Sequence, residues 1–164
     1  HRALVIGDGK YVELTPQQTM IYNILRGNIE RFNAEIKEKN GKFKYGVFID
    51  STSIYYKINR ENSKQPIINY KIRHQGILEE SSKYTESNLL KEYGKETSKI
   101  AKKMILELLT YFQKQNVDPL GFGLRYKATN LHTGDTYKEW ESLYPQAKFT
   151  LDINVNIIST GKME

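Results

Sequence analysis

The sequence predicts an α+β domain: a curved, mixed but mostly antiparallel β-sheet with one long helix and two or three shorter helices packed on one face. Three observations predict it. Residues 88–115 carry apolar side chains at three- and four-residue steps over the longest run in the chain. Residues 43–58 and 66–78 alternate with a period of two. In the last such stretch Phe149, Leu151, Ile153, Val155 and Ile157 oppose Thr150, Asp152, Asn154 and Asn156, so one sheet face is buried and the other wet.

The first element is a hairpin, with apolar residues 3–6 and Tyr11, Val12 and Leu14 flanking Gly7-Asp8-Gly9. Thr15-Pro16-Gln17-Gln18 then starts a helix. Thr15 is the N-cap, Pro16 takes the first helical position and Gln18 completes a capping box. Met20, Ile21, Ile24 and Leu25 form its buried stripe, and Gly27 ends it as the C′ residue. Residues 29–38 leave two readings open. Ile29, Phe32 and Ile36 fit a helix loosely, and the alternation fits a strand poorly. A turn at 39–42 follows.

Phe43, Tyr45, Val47 and Ile49 share one face of the next strand, after which the apolar parity passes to Ile54, Tyr56 and Ile58. A change of parity predicts a bulge or a turn near residues 51–53. Beyond a polar loop at 59–65, Ile68, Tyr70, Ile72 and His74 share a face, with Gly76 interrupting and Leu78 continuing it. Residues 81–87 form a polar connector around Tyr84.

The long helix buries Tyr93, Thr97, Ile100, Ala101, Met104, Leu108, Tyr111 and Phe112 and sets Lys91, Lys95, Lys99, Lys102 and Lys103 mainly opposite. At 1.5 Å per residue it runs roughly 40 Å. Pro119, Gly121 and Gly123 mark a loop, Leu124-Arg125-Tyr126 begins a short helix, and Gly134 marks another loop. A helix at 137–144 carries Trp140 and is stopped by Pro145.

Composition narrows the function. The chain has 164 residues, no Cys, 25 Lys+Arg against 19 Asp+Glu and a net charge of +6. That length predicts one domain over 1–164, burying about two-thirds of its unfolded surface. Zero Cys excludes a disulfide scaffold, a thiolate metal site and a thiol nucleophile. Apolar runs fall short of a membrane span, and no charged segment followed by an apolar run marks a leader. The first residue, His1, predicts a processed or excised piece. The positive charge permits nucleic acid, phosphate or a lipid surface as partner. The basic residues interleave with acids, however, as on an ordinary solvated surface, so nucleic acid is not the expected partner.

Tests for chemistry return no catalytic, metal or cofactor site. There is no G-x-G-x-x-G and no P-loop; Gly121-Phe122-Gly123 lacks the third Gly and follows a helix. His1, His74 and His132 are far apart, with no carboxylate pattern at metal-ligand spacing. His74, on the apolar parity of its strand, reads as a hydrogen-bonded histidine at the core edge. The acid pairs Glu79/Glu80, Asp135/Glu139 and Glu139/Glu141 sit as neighbours in the same water, not in the two environments acid–base work needs. Ser51-Thr52-Ser53 has no His or Lys positioned by sequence to activate a hydroxyl. Tyr55, out of phase with the buried tyrosines, and the lysine row Lys95, Lys99 and Lys102 are candidate contact residues.

Asp118-Pro119-Leu120-Gly121-Phe122-Gly123 follows the long Lys-rich helix. Trp140, Leu143-Tyr144-Pro145, the alternating strand and Gly161 come after it. This order resembles the C-terminal domain of the Ger(x)C family, the C subunits of bacterial spore germinant receptors. Leu14-Thr15-Pro16 opening a helix and Leu25-Arg26-Gly27 closing it resemble that family's entry into the domain. One departure is that residues 127–136 lack the additional Pro and Trp that family members often carry.

The resemblance implies the last domain of a larger lipoprotein, tethered through an acylated N-terminal Cys, absent here, to the outer face of the spore inner membrane. It implies assembly with A- and B-type membrane subunits into a nutrient-sensing receptor, no enzyme activity and no cofactor. Within the motif, Gly121 and Gly123 are expected to let the chain reverse. Phe122 is expected to anchor inward, and Trp140 to plug the base of the sheet with its N–H on a carbonyl. A second reading is a basic domain binding nucleic acid or another polyanion. A third, direct capture of the germinant, ranks last because the sequence shows no Gly-rich or charged pocket for an amino acid.

Overall fold

A computed structural model describes residues 3–7, 10–60, 65–83, 87–129 and 135–159. His1, the Asp8-Gly9 turn, residues 61–64, Tyr84, the 130–134 loop with His132 and Gly134, and Gly161 lie outside the described residues. The elements in order are β1 (Ala3–Gly7), β2 (Lys10–Leu14), α1 (Pro16–Leu25), β3 (Phe32–Lys37), β4 (Phe43–Asn59) and β5 (Ile67–Ser81). They continue with α2 (Ser87–Lys114), α3 (Phe122–Thr129), α4 (Thr136–Leu143), a 3-10 turn (Tyr144–Gln146) and β6 (Lys148–Ser159). β1 and β2 form a ribbon of their own, and the main sheet runs β3-β4-β5-β6. All its pairs are antiparallel except β5–β6, which is parallel. A parallel pair needs a long crossover, which the segment containing α2, α3 and α4 supplies. The class is α+β, as the sequence indicates.

The caps explain where the helices begin and end. Thr15 and Gln18 form the reciprocal capping box: Gln18 N–H donates to Thr15 Oγ1 (3.2 Å) and Thr15 N–H to Gln18 Oε1 (2.9 Å). Gly27, at φ +74°, closes α1 through Gly27 N–H to Ile24 O and Asn28 N–H to Asn23 O, a Schellman motif. Helix α2 closes the same way on Asn116, at φ +50°. Val117 N–H reaches Phe112 O there, and both residues are buried.

Residues 32–37, which the sequence leaves open, form strand β3. Phe32, Ala34 and Ile36 face inward, and Asn33, Glu35 and Lys37 outward. Ala34 fills the inward position that an apolar count passes over. In β4, Ile49 pairs with Gly76 and Ser51 with Gln75, so Asp50 is the extra residue of a bulge. The parity change is therefore a bulge one residue before the expected stretch, and β4 continues unbroken. Gly76 lies opposite it because a Cβ there would come 2.8 Å from Phe48 O and 2.9 Å from Val47 Cγ1.

Helix α2 crosses the free edge of β6. Val155 N–H donates to Ser98 Oγ (2.8 Å), which in turn donates to Gly94 O (2.7 Å). A Cβ on Gly94 would meet Val155 O at 2.6 Å, so glycine permits the approach. The buried apolar residues form two clusters. The larger joins β2, α1, the first half of β5, α2, α3, α4 and the start of β6, with Leu14, Phe112 and Phe122 fully buried. The smaller joins β3, β4, the end of β5 and the end of β6 around the stacked rings of Tyr45 and Tyr93, 3.8 Å apart. Among the described residues, no helix is long and apolar enough to cross a membrane.

Candidate functional site

Two features collect the residues the sequence singles out. The first is a knot between α2 and α3 centred on Asp118. Its carboxylate accepts from Phe122 N–H (Oδ1, 3.0 Å), Gly123 N–H (Oδ2, 2.7 Å) and the Trp140 indole N–H (Oδ2, 3.2 Å). An acceptor with negative charge suits this place, because the N–H groups at a helix start lack partners within the helix. The Trp140 N–H thus finds a carboxylate, not the expected carbonyl.

Gly121, at φ +74°, makes the turn into α3. Gly123 does not reverse the chain: it lies inside α3, where a Cβ would come 2.6 Å from Trp140 Cδ1. The absent side chain makes room for the indole. Trp140 packs on Tyr126 and Tyr144, with centroids 5.0 and 5.7 Å away, and Phe122 is fully buried beneath the same group. The α-helix α4 ends at Leu143, ahead of Pro145. The proline lies inside the 3-10 turn that follows α4, near the start, where proline's missing N–H costs nothing. Outside the knot, Arg60 ties the end of β4 to the Tyr126 hydroxyl (2.9 Å) and to the Glu139 carboxylate.

The second feature is a hollow of about 540 Å³ where the wet face of β4, β5 and β6 meets the flank of α2. Tyr55, Lys57, Lys71, Lys102, Leu106 and Asp152 are among the residues around it. Tyr55 is 50% exposed, and the Lys57 ammonium sits 5.8 Å from its ring centre. Asp152 is held by both terminal nitrogens of Arg73, at 2.6 and 3.1 Å. That bond keeps its pKa below the usual carboxylate value, with Lys71 and Lys102 adding in the same direction. The fold therefore brings Tyr55 and Lys102 into one basic hollow. Lys95 and Lys99 are exposed on α2 but do not line it. Sequence reasoning passed over Lys57, Lys71 and Arg73, because their shared face depends on the register of three strands.

The acidic pairs and the histidine that the sequence singles out lie in solvent or take structural roles. Glu79, Glu80 and Glu141 are exposed, Asp135 caps α4 through Lys138 N–H, and Glu139 is paired with Arg60. His74 is buried, with Nδ1 2.9 Å from Thr52 Oγ1, and burial pushes its pKa down to about 4, so it is neutral at pH 7. This is the hydrogen-bonded core histidine that strand parity predicts. Burial also raises the hydroxyls of Tyr45, Tyr56 and Tyr70 above the usual tyrosine range. Among the described residues, no three His, Asp or Glu converge as metal ligands would.

The crystal structure of the GerBC protein superposes with a TM-score of 0.74 at 18% sequence identity, covering 93% of this chain and 49% of that one. That likeness is one of fold, and this chain spans about half the length of that protein. No curated protein matches it. The family model described as "Spore germination B3/GerAC like, C-terminal" runs over residues 1–161, through the hairpin, the capped α1, the Asp118 knot and β6. The chain belongs to the spore germination B3/GerAC-like C-terminal family.

Proposed function

We propose that this domain is a protein-docking module of a germinant-receptor C subunit, the last domain of a longer lipid-anchored chain on the outer face of the spore inner membrane. It assembles there with A- and B-type membrane subunits and carries out no reaction. The family match over residues 1–161 carries this reading. The basic hollow at Tyr55 supports it: an exposed aromatic beside Lys57, in a hollow that Lys71 and Lys102 also line, suits an acidic, aromatic-tolerant partner surface. Lys57, Lys71 and Lys102 lining the same hollow also favour a second reading, a polyanion site. Titration with labelled single-stranded DNA at about 0.15 M salt separates the two, since phosphate binding is saturable and falls steeply as salt rises.

The test replaces Tyr55→Ala and Lys102→Glu together in the full-length protein, in spores of its own host. Both residues are exposed, so the melting temperature should hold. The expected result is a protein present at its normal level with nutrient-triggered germination reduced roughly tenfold, one hot-spot contact being worth that much. Unchanged germination would remove the hollow as the docking surface.

A further inference from the structure

A cavity of about 450 Å³ lies between the two apolar clusters. Its walls are α1, β3 and α2, with Met20, Ile24, Ile36 and Met104 among the side chains facing it, and His74 lies at its base beside Val155. The interior is apolar; Gln17, Asn33, Glu35 and Lys37 are largely exposed, and the last two pair with each other at 3.1 Å. The Thr97 hydroxyl, also on the lining, is bonded to the Tyr45 hydroxyl (3.0 Å). His74 differs from both. It is only 5% exposed, its Nδ1 is held by Thr52, its ring stands edge-on to Phe32, and its Nε2 has no hydrogen-bond partner among the described residues. A ring nitrogen that keeps some accessible surface and no protein partner, on the lining of an apolar cavity of this size, is the arrangement that fixes the polar end of a small ligand.

From the chamber and its one free nitrogen, we infer that this domain binds an uncharged, mostly apolar small molecule whose single hydroxyl or carbonyl meets His74 Nε2. The size class follows from volume, since a cavity of about 150 Å³ holds one benzene, so this one holds roughly two to three rings. The charge class follows from the lining. No unpaired carboxylate or ammonium faces the interior among the described residues, and a charge moved there would lose its water uncompensated. A zwitterionic amino acid is therefore excluded. A hydroxyl serves either ring tautomer, accepting from Nε2–H or donating to bare Nε2. The inference stands apart from the assembly role, which uses the opposite face of the sheet.

The probes are diphenylmethanol and diphenylmethane, which differ by one hydroxyl. Methyl NMR of Met20 and Met104 reads binding in the unaltered protein. Both probes should move these methyls saturably, with Kd about 1 mM or tighter for ligands of this size. Diphenylmethanol should bind at least as tightly, although water competes for its hydroxyl. His74→Phe should weaken diphenylmethanol roughly tenfold and leave diphenylmethane unchanged, as expected for a hydroxyl left without a partner. Ala34→Trp, on the edge strand, should fill the chamber and abolish both; it keeps the test open if His74→Phe does not fold. No saturable shift with either probe, or binding undiminished by Ala34→Trp, would overturn the inference. Weaker binding of the alcohol than of the hydrocarbon by the unaltered protein would overturn the role of His74.

Discussion

Gly123→Ala puts the reading of the Asp118 knot at risk with a single methyl group. Built on the backbone, that carbon lies 2.6 Å from Trp140 Cδ1, 3.0 Å from Nε1 and 3.3 Å from Cγ. The indole cannot swing away freely, because it is held by the Asp118 carboxylate and flanked by Tyr126 and Tyr144. Overpacking of this kind costs about 1–3 kcal/mol, and alanine's better helix propensity returns at most about 1 kcal/mol. The net loss of about 1–2 kcal/mol should lower Tm by roughly 2–8 °C in a chain of this size. Thermal unfolding by circular dichroism measures it. The same substitution in a Trp140→Ala background supplies the decisive comparison, because the atom it strikes is gone. There it should be neutral or stabilising. An equal loss in both backgrounds, or a higher Tm for Gly123→Ala alone, would show that Gly123 is conserving backbone freedom and not space for the indole.

Trp140→Ala alone should cost about 3–5 kcal/mol, since the ring is 97% buried by its 3% exposure and its loss leaves Asp118 one donor short; a melt shifted by less than a few degrees would place the ring outside the core. The buried, neutral His74 should make the fold acid-sensitive. Its pKa is about 4 when folded against 6.5 otherwise, so the unfolded chain binds the extra proton between those values. The stability is complete above pH 6.5 and is lost progressively as pH falls toward 4, by about 3 kcal/mol in all. Urea melts from pH 7 to 4 test it against His74→Gln, whose curve should be flatter; a His74 ring titrating near 6.5 by NMR would contradict it.

Much of the fold is legible wherever local chemistry decides it. Thr15, Pro16 and Gln18 specify the start of α1 because all their partners lie within one turn. β6 announces its two faces because every inward residue is large and apolar. The strand β3 is obscure for the converse reason: its middle inward residue is Ala34, too small to register in an apolar count. The bulge shows as a change of parity, but its position at Asp50 depends on pairing with β5, beyond Asn59 and the loop. The parallel orientation of β6 is set by how the helical crossover returns, which no residue within the strand encodes.

The sites follow the same rule. Asp118, Gly123 and Trp140 stand out in the sequence, yet their relation is legible only in space, where one carboxylate serves a helix start and an indole from another helix. Gly123 reads as a turn residue and proves to be a clearance. The hollow joins Tyr55 to Lys102 across strands, and the His74 chamber is walled by α1 and β3, whose approach to β5 no spacing predicts.

The proposed docking role requires this domain to act through its surface within a larger assembly. The most direct measurement is isolation of the intact protein from the membrane fraction of its own spores, with quantitation of A- and B-type subunits that come with it. Both subunits are expected in near-equal amounts with the unaltered protein, and are expected to be lost with Tyr55→Ala/Lys102→Glu at unchanged Tm. Recovery of both subunits undiminished by that double substitution would contradict that role, as would an unaltered protein that brings neither.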